Sequence, residues 1–284
     1  MLNRTYSGPK PAFRLPPGSI DTQLHLYQPG FPALPGGPAV PVGTPGLAEY
    51  RQVMDWLGIE RFVITQGNAH QFDNSCLLAC LAEAGEQARG VAVIRGDTPD
   101  AELQRLHAAG VRGARIMDLP GGAAGLPMLA EVDARARAMG WCVAVQFDGS
   151  RIREHMPLLS RLQSRFIIDH HGKFFAGVTP DSPEVDALKR LIDGGNAWFK
   201  FAACYESSRS GGPGYADIAA VAREMAQYAP ERIIWGSNFP HNLAQKTEDY
   251  PNDAELLALA WDWAGDAETR RNMLVDNPQA LFFS

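Results

Sequence analysis

The 284-residue chain is 45% hydrophobic and 20% charged, an ordinary composition for a protein with one large core. Its formal charge of -6 lacks the basic footprint of a nucleic-acid binder, and no apolar run approaches the roughly 20 residues that span a bilayer. Residues 1 to 17 lack the apolar stretch of a secretory signal, and Cys76, Cys80, Cys142 and Cys204 form no CxxC, so buried free thiols in a cytoplasmic protein are expected rather than a zinc site.

Residues 1–19 are rich in Pro and polar groups and read as an extended surface arm. A short strand at Ile20 to His25 precedes a Gly- and Pro-dense loop from Pro29 to Gly46, long enough to form the wall of a site. A regular alternation follows. Strands are predicted at 61–66, 90–94, 111–117, 141–147, 166–169, 197–201 and from 233, with helices at 47–57, 74–87, 100–109, 126–139, 152–162, 184–192 and 215–228. Helices at 253–263 and 267–274 close the chain, and Gly58, Gly110 and Gly140 stand where three of the helices stop. Most strands are continuously apolar, the pattern of strands buried on both faces of a parallel sheet. Eight such units in one chain predict an α/β fold, a single (β/α)8 TIM barrel over residues 1–284 with an extended N-terminal arm. The competing doubly wound sheet usually carries a Gly-rich phosphate loop after an early strand, and this chain has none.

The site of such a barrel lies at the C-terminal ends of its strands. Strand 1 ends in Gln23 and His25, two apart and on one face; strand 2 leads to Gln66, Asn68, His70 and Gln71. Strand 4 carries Arg115 and Asp118, and strand 5 ends in Gln146 and Asp148. Strand 6 gives Asp169, His170, His171 and Lys173, of which alternation lets only one of the two histidines face the axis. Strand 7 gives Lys200, then Tyr205, Glu206 and Arg209; strand 8 ends in Asn238, with His241 beyond. Arg115 on an apolar strand needs an anionic partner, which favours a substrate role over a structural one. Asn238 suits a turn, but its side chain also stands where a carboxylate would make a base.

With both ends of the barrel in view, the chain resembles the amidohydrolase superfamily, in which strand 1 ends in His-x-His and strand 8 in a metal-binding Asp. Asp169-His170-His171-Gly172-Lys173 and Trp235 to His241 are similar to motifs of the 2-pyrone-4,6-dicarboxylate lactonase branch. Thr65 to Gln71, Gly113 to Gly122, Val145 to Gly149 and Tyr205 to Arg209 extend the similarity to the galactarolactone isomerases within it. That resemblance implies conversion of galactaro-1,5-lactone to the 1,4-lactone in galacturonate breakdown, with no cofactor. A metal-free lactone hydrolase is the alternative, and a barrel that only binds a sugar acid is a third.

Gln23 and Asn238 depart from the metal-binding pattern, which leaves too few ligands for a stable zinc site, so no metal is expected. On this reading the substrate's own C4 hydroxyl attacks C1, and His170 or His171 moves the proton from that hydroxyl to the C5 oxygen. Gln23, His25 and Asn238 hold the carbonyl and oxyanion, and Arg115 and Lys200 bind the distal carboxylate, with Tyr205 and Arg209 as further candidates. Asn68, Gln146 and Asp148 read hydroxyls, and His241 belongs to the substrate-binding set. The expected partner is a small sugar-acid lactone, with neither nucleic acid nor membrane involved, and homo-oligomer formation is left open.

Overall fold

The computed structural model describes residues 10–244, 246 and 249–284. The part of the expected arm at residues 1–9 lies outside the described residues. From residue 10 the chain runs along the surface, and Phe13 stacks on Trp261 at 4.3 Å.

Eight parallel strands follow one another around the sheet in chain order: β1 (Ile20–Leu24), β2 (Arg61–Thr65), β3 (Ala88–Ala92), β4 (Val111–Met117), β5 (Cys142–Gln146), β6 (Phe166–Ile168), β7 (Ala197–Phe201) and β8 (Ile233–Trp235). The circle is nearly closed where Leu24 bridges Phe239 just beyond β8. Helices α1 (Leu47–Leu57), α2 (Ser75–Ala84), α3 (Asp100–Ala108), α4 (Leu129–Ala138), α5 (Ile152–Leu159), α6 (Pro183–Asp193), α7 (Ala216–Tyr228) and α8 (Asp253–Ala264) form the outer layer, and α9 (Ala267–Arg271) runs into π-type turns to the C-terminus. The expected (β/α)8 barrel is therefore the observed fold. Boundaries differ from expectation by a few residues: α2 and α4 are shorter because 3-10 turns occupy Gly85–Gln87 and Leu126–Met128.

Two apolar layers hold the barrel. Side chains such as Val63, Val91, Ile167 and Ile234 fill its interior, together with Leu281 and Phe282 of the C-terminal turn. The larger layer lies between strands and helices. Two-residue alternation sorts β7 between them: Phe199 and Phe201 join the outer layer, while Lys200 is fully buried beside Gln23 of β1. On β1 the pairing register shifts between Asp21 and Leu24, an irregularity that re-aims the strand end. Ile20 consequently packs in the interior cluster and Leu24 in the outer one. Among the described residues no helix is long and apolar enough to cross a membrane.

Candidate active site

A cavity of about 260 Å³ opens at the C-terminal ends of the strands, and His25, Asn68, Arg115, Gln146, His170 and Asn238 line it. Another of about 360 Å³ lies at the opposite end, between α5 and α6. It shows no comparable convergence of histidine, amide and guanidinium groups. The six side chains named first were all expected at the site.

One end of the cavity is built on Arg115. Its Nη1 donates to the Gln66 carbonyl at 2.9 Å and to Asn68 Oδ1 at 3.0 Å, and Nη2 donates to Gln146 Oε1 at 3.0 Å. Its Nε is buried with no hydrogen-bond partner. Burial pulls the guanidinium below its ordinary value, but arginine keeps its proton. No carboxylate pairs with it among the described residues, in contrast to Lys173, paired with Glu206, and Lys200, which stands 3.2 Å from Asp169.

The opposite end joins β1, β6 and β8. His25 Nδ1 lies 2.8 Å from the Thr65 carbonyl, an acceptor only, so the ring donates there and leaves a lone pair on Nε2. Burial, with Arg115 and His170 adding to it, pushes this imidazole down to about 3, and it is neutral. Gln23 is used at both ends of its amide: Lys200 donates to Oε1 at 2.9 Å and Nε2 lies 3.4 Å from His25 Nε2. His170 Nε2 lies 3.2 Å from Asn238 Oδ1, and its Nδ1 stands 3.0 Å from Asp169 Oδ1 without being aligned for a hydrogen bond. Burial opposes ionisation of Asp169, yet Lys200, His170 and Arg115 together hold it well below the usual carboxylate range.

Asn238 Nδ2 donates to the Tyr205 hydroxyl at 2.9 Å and to Glu206 Oε1 at 3.1 Å. Glu206 also lines the cavity; against the effect of burial, Lys173 and His170 hold its carboxyl below its ordinary value.

Several expected site residues stand elsewhere. His171 does not reach the cavity: the chain turns through positive φ at His170 (51°) and His171 (51°), and the His171 ring stacks on Phe201 at 5.1 Å with Phe199 and Trp263 edge-on. Lys200 lies beneath the cavity, committed to Gln23 and Asp169, so it is not placed to bind a distal carboxylate. Asp148 caps the turn after β5 by accepting from Ser150 N at 3.0 Å. Arg209 is exposed and donates to the Ala176 carbonyl. Tyr205 and His241 bond each other at 2.7 Å behind Asn238 instead of lining the cavity. Gln23 supports His25 from below and offers no side-chain atom to the lining.

Lys173 and Glu206, by contrast, line the cavity although sequence reasoning gave them no role. Their opposite charges at the ends of consecutive strands were the available signal. Met117 also lines it, a thioether 3.4 Å from Arg115 Nη2, and nothing in its local sequence marks it out.

A family model described as amidohydrolase matches residues 20–283. The chain belongs to the amidohydrolase family. It is 55% identical to the D-galactarolactone isomerase of Agrobacterium fabrum (strain C58), over 99% of this chain and 96% of that protein. It is 32% identical to a 2-pyrone-4,6-dicarboxylate hydrolase of Comamonas testosteroni, over 98% of this chain and 94% of that one. An apo crystal structure from Agrobacterium tumefaciens superimposes with a TM-score of 0.92 at 54% identity, covering 96% of this chain and 98% of that chain.

The family's metal-binding pattern is not met by the groups in this amidohydrolase. The oxygen of Gln23 is taken by the ammonium of Lys200, and the oxygen of Asn238 faces His170. No group of three His, Cys, Asp or Glu side chains converges among the described residues. These donors do not suit a divalent ion, which would need several free anionic or imidazole ligands in one place.

Proposed function

We propose that this amidohydrolase is a lactone isomerase that converts galactaro-1,5-lactone to galactaro-1,4-lactone without a metal. The observation that carries the reading is the His170–Asn238 pair, an amide facing the imidazole where a hydrolase of this architecture needs a base for water. The 55% identical isomerase supports the substrate class.

Arg115, which pairs with no carboxylate among the described residues, takes the single free carboxylate of the lactone, and Asn68 and Gln146 stand beside it to read hydroxyls. The C4 hydroxyl bonds to C1, the bond from C1 to the C5 oxygen breaks, and one proton passes from the C4 oxygen to the C5 oxygen. A nucleophile within the substrate gains an effective molarity on the order of 10⁵ M or more in good geometry, so no water need be activated. His170 carries the proton, with the Asp169 carboxylate behind its Nδ1 to stabilise an imidazolium. His25 orients the attacking hydroxyl by accepting its hydrogen bond at Nε2, in place of the long 3.4 Å contact that this nitrogen makes with Gln23 Nε2. Glu206 is a poor base, because Lys173 and Asn238 occupy its oxygens.

The test is an NMR time course on freshly made galactaro-1,5-lactone with protein dialysed against EDTA. The expected result is 1,4-lactone without release of acid, at a rate that chelation leaves unchanged. Open galactarate as the product, or activity lost to EDTA and restored by zinc, overturns the proposal.

A further inference from the structure

Behind Asn238 a chain of hydrogen bonds leaves the cavity and ends, buried, on α8. Asn238 Nδ2 lies 2.9 Å from the Tyr205 hydroxyl, that hydroxyl 2.7 Å from His241 Nδ1, and His241 Nε2 2.8 Å from Asp253 Oδ1. Asp253 and His241 are almost wholly buried. We propose that Tyr205, His241 and Asp253 are positioning residues that fix which way the Asn238 amide faces. Through it they keep a proton on His170 Nε2 before substrate reacts, so the first proton transfer runs from His170 to the substrate. The inference rests on the isomerase reading and adds the order of proton transfer to it.

The direction of each bond follows from the far end inward. An ionised carboxylate only accepts, so His241 donates from Nε2 to Asp253. A ring that donates only from Nε2 has a lone pair on Nδ1, which accepts from the Tyr205 hydroxyl at 2.7 Å. Burial holds the Tyr205 phenol well above its ordinary range, and it keeps the proton this bond requires. With its hydrogen spent on His241, the phenol oxygen accepts from Asn238, which must present its NH2. Glu206 requires the same orientation from the cavity side, since its oxygen also only accepts. A flipped amide would set its carbonyl oxygen against both Tyr205 and Glu206. The carbonyl of Asn238 is therefore left facing His170, and Nε2 must be the donor across their 3.2 Å contact.

The reaction closes on this arrangement. As the C4 oxygen bonds to C1 and the bond from C1 to the C5 oxygen breaks, the C5 oxygen takes the proton from His170 Nε2, and the ring, which keeps a second proton on Nδ1 at 3.0 Å from Asp169 Oδ1, passes from imidazolium to neutral imidazole. The C4 oxygen, acidic once bonded to C1, returns its proton to the same nitrogen. His170 ends as it began, and no water or co-reactant is consumed.

The imidazole 15N spectrum of the full-length protein, with signals assigned by single substitutions, tests the direction of the chain. The expected spectrum shows His241 protonated at Nε2 and bare at Nδ1, and His170 protonated at Nε2. A proton on His241 Nδ1, or a bare His170 Nε2, overturns the proposal. Tyr205→Phe keeps the ring and removes the link; kcat is expected to fall roughly tenfold, the size of one net hydrogen bond, with KM within about twofold. Asp253→Asn is expected to spread the His241 proton over both nitrogens and to lower kcat to a similar extent. Full kcat in both variants, or a rise in KM at constant kcat, overturns the positioning role. Failure of the unsubstituted protein to interconvert the lactones overturns the isomerase reading and with it the order of transfer, while the spectra still judge the direction of the chain.

Discussion

Asn238 stands in the left-handed region of backbone space, at φ 65°, where asparagine and aspartate are both tolerated better than most residues. Its backbone therefore does not choose between amide and acid; the neighbours do. An aspartate there would set a second negative charge beside Glu206, 3.1 Å from the present amide nitrogen, and close to where the oxyanion forms. Asn238→Asp is expected to slow isomerisation and to shift residual flux toward ring-opened galactarate. The ratio of 1,4-lactone to diacid, corrected for uncatalysed hydrolysis, measures it; an unchanged rate and ratio would reduce Asn238 to a turn residue. At the other end, Arg115→Met should lower kcat/KM by roughly 10- to 100-fold, the loss of one charge-assisted pair, with circular dichroism unchanged. Full activity, or an unfolded variant, would assign Arg115 to structure instead. Both residues were legible in the sequence because each breaks a local rule: an arginine in an apolar strand, and an amide where the family resemblance leads one to expect an acid. Lys200 breaks the same rule and misled, since its partners, Gln23 on β1 and Asp169 just past β6, come from other segments and meet it only in the folded barrel.

The turn after β6 shows where element-level reading stops. Alternation says that only one of His170 and His171 faces the axis, but β6 ends at Ile168 and the chain then passes through positive φ at His170, His171, Gly172 and Lys173. A run of left-handed residues leaves no mark that periodicity can detect. It sends His170 to Asn238 and His171 outward into the seam between β7 and α8, against Phe201 and Trp263. Burial pushes the His171 imidazole down to about 3, and His25 likewise. Both fall well below the value of about 6.5 expected in the unfolded chain. Between those limits the unfolded chain binds protons that the folded one refuses, so the stability is fully present above pH ~6.5 and is lost as pH falls toward 3. His171→Phe removes one of these two groups and suits the aromatic surroundings. It should flatten the decline of Tm between pH 7.5 and pH 5 while leaving activity at pH 7 intact. An unchanged slope would mean that His171 takes up protons in the folded protein as it does in the unfolded chain.

At the scale of the whole molecule, the barrel was legible because eight apolar strand segments alternate with helical ones, a pattern that needs no long-range information. The seam that completes the circle was not, since it brings together β1 and β8 from opposite ends of the chain. There the backbone of Gly236 packs so closely on Gln23 that an added Cβ would stand 2.3 Å from Gln23 Cβ and 2.6 Å from Gln23 N. Backbone cannot swing aside as a long side chain can, so the two strands must separate. Gln23 supports His25 and meets Lys200, and the strain reaches the active site by the shortest route. Gly236→Ala should therefore cost about 1–3 kcal/mol, as overpacking of a tight core does, and lower Tm by roughly 2–4 °C for each kcal/mol. Gly214, where a Cβ would meet nothing within 4 Å, supplies the control: Gly214→Ala should leave Tm and turnover near their starting values. Thermal denaturation and lactone turnover of the two variants decide the matter. Equal Tm values would show that the seam between β8 and β1 yields easily, and a stable Gly236→Ala protein with full turnover would uncouple that seam from the site it supports.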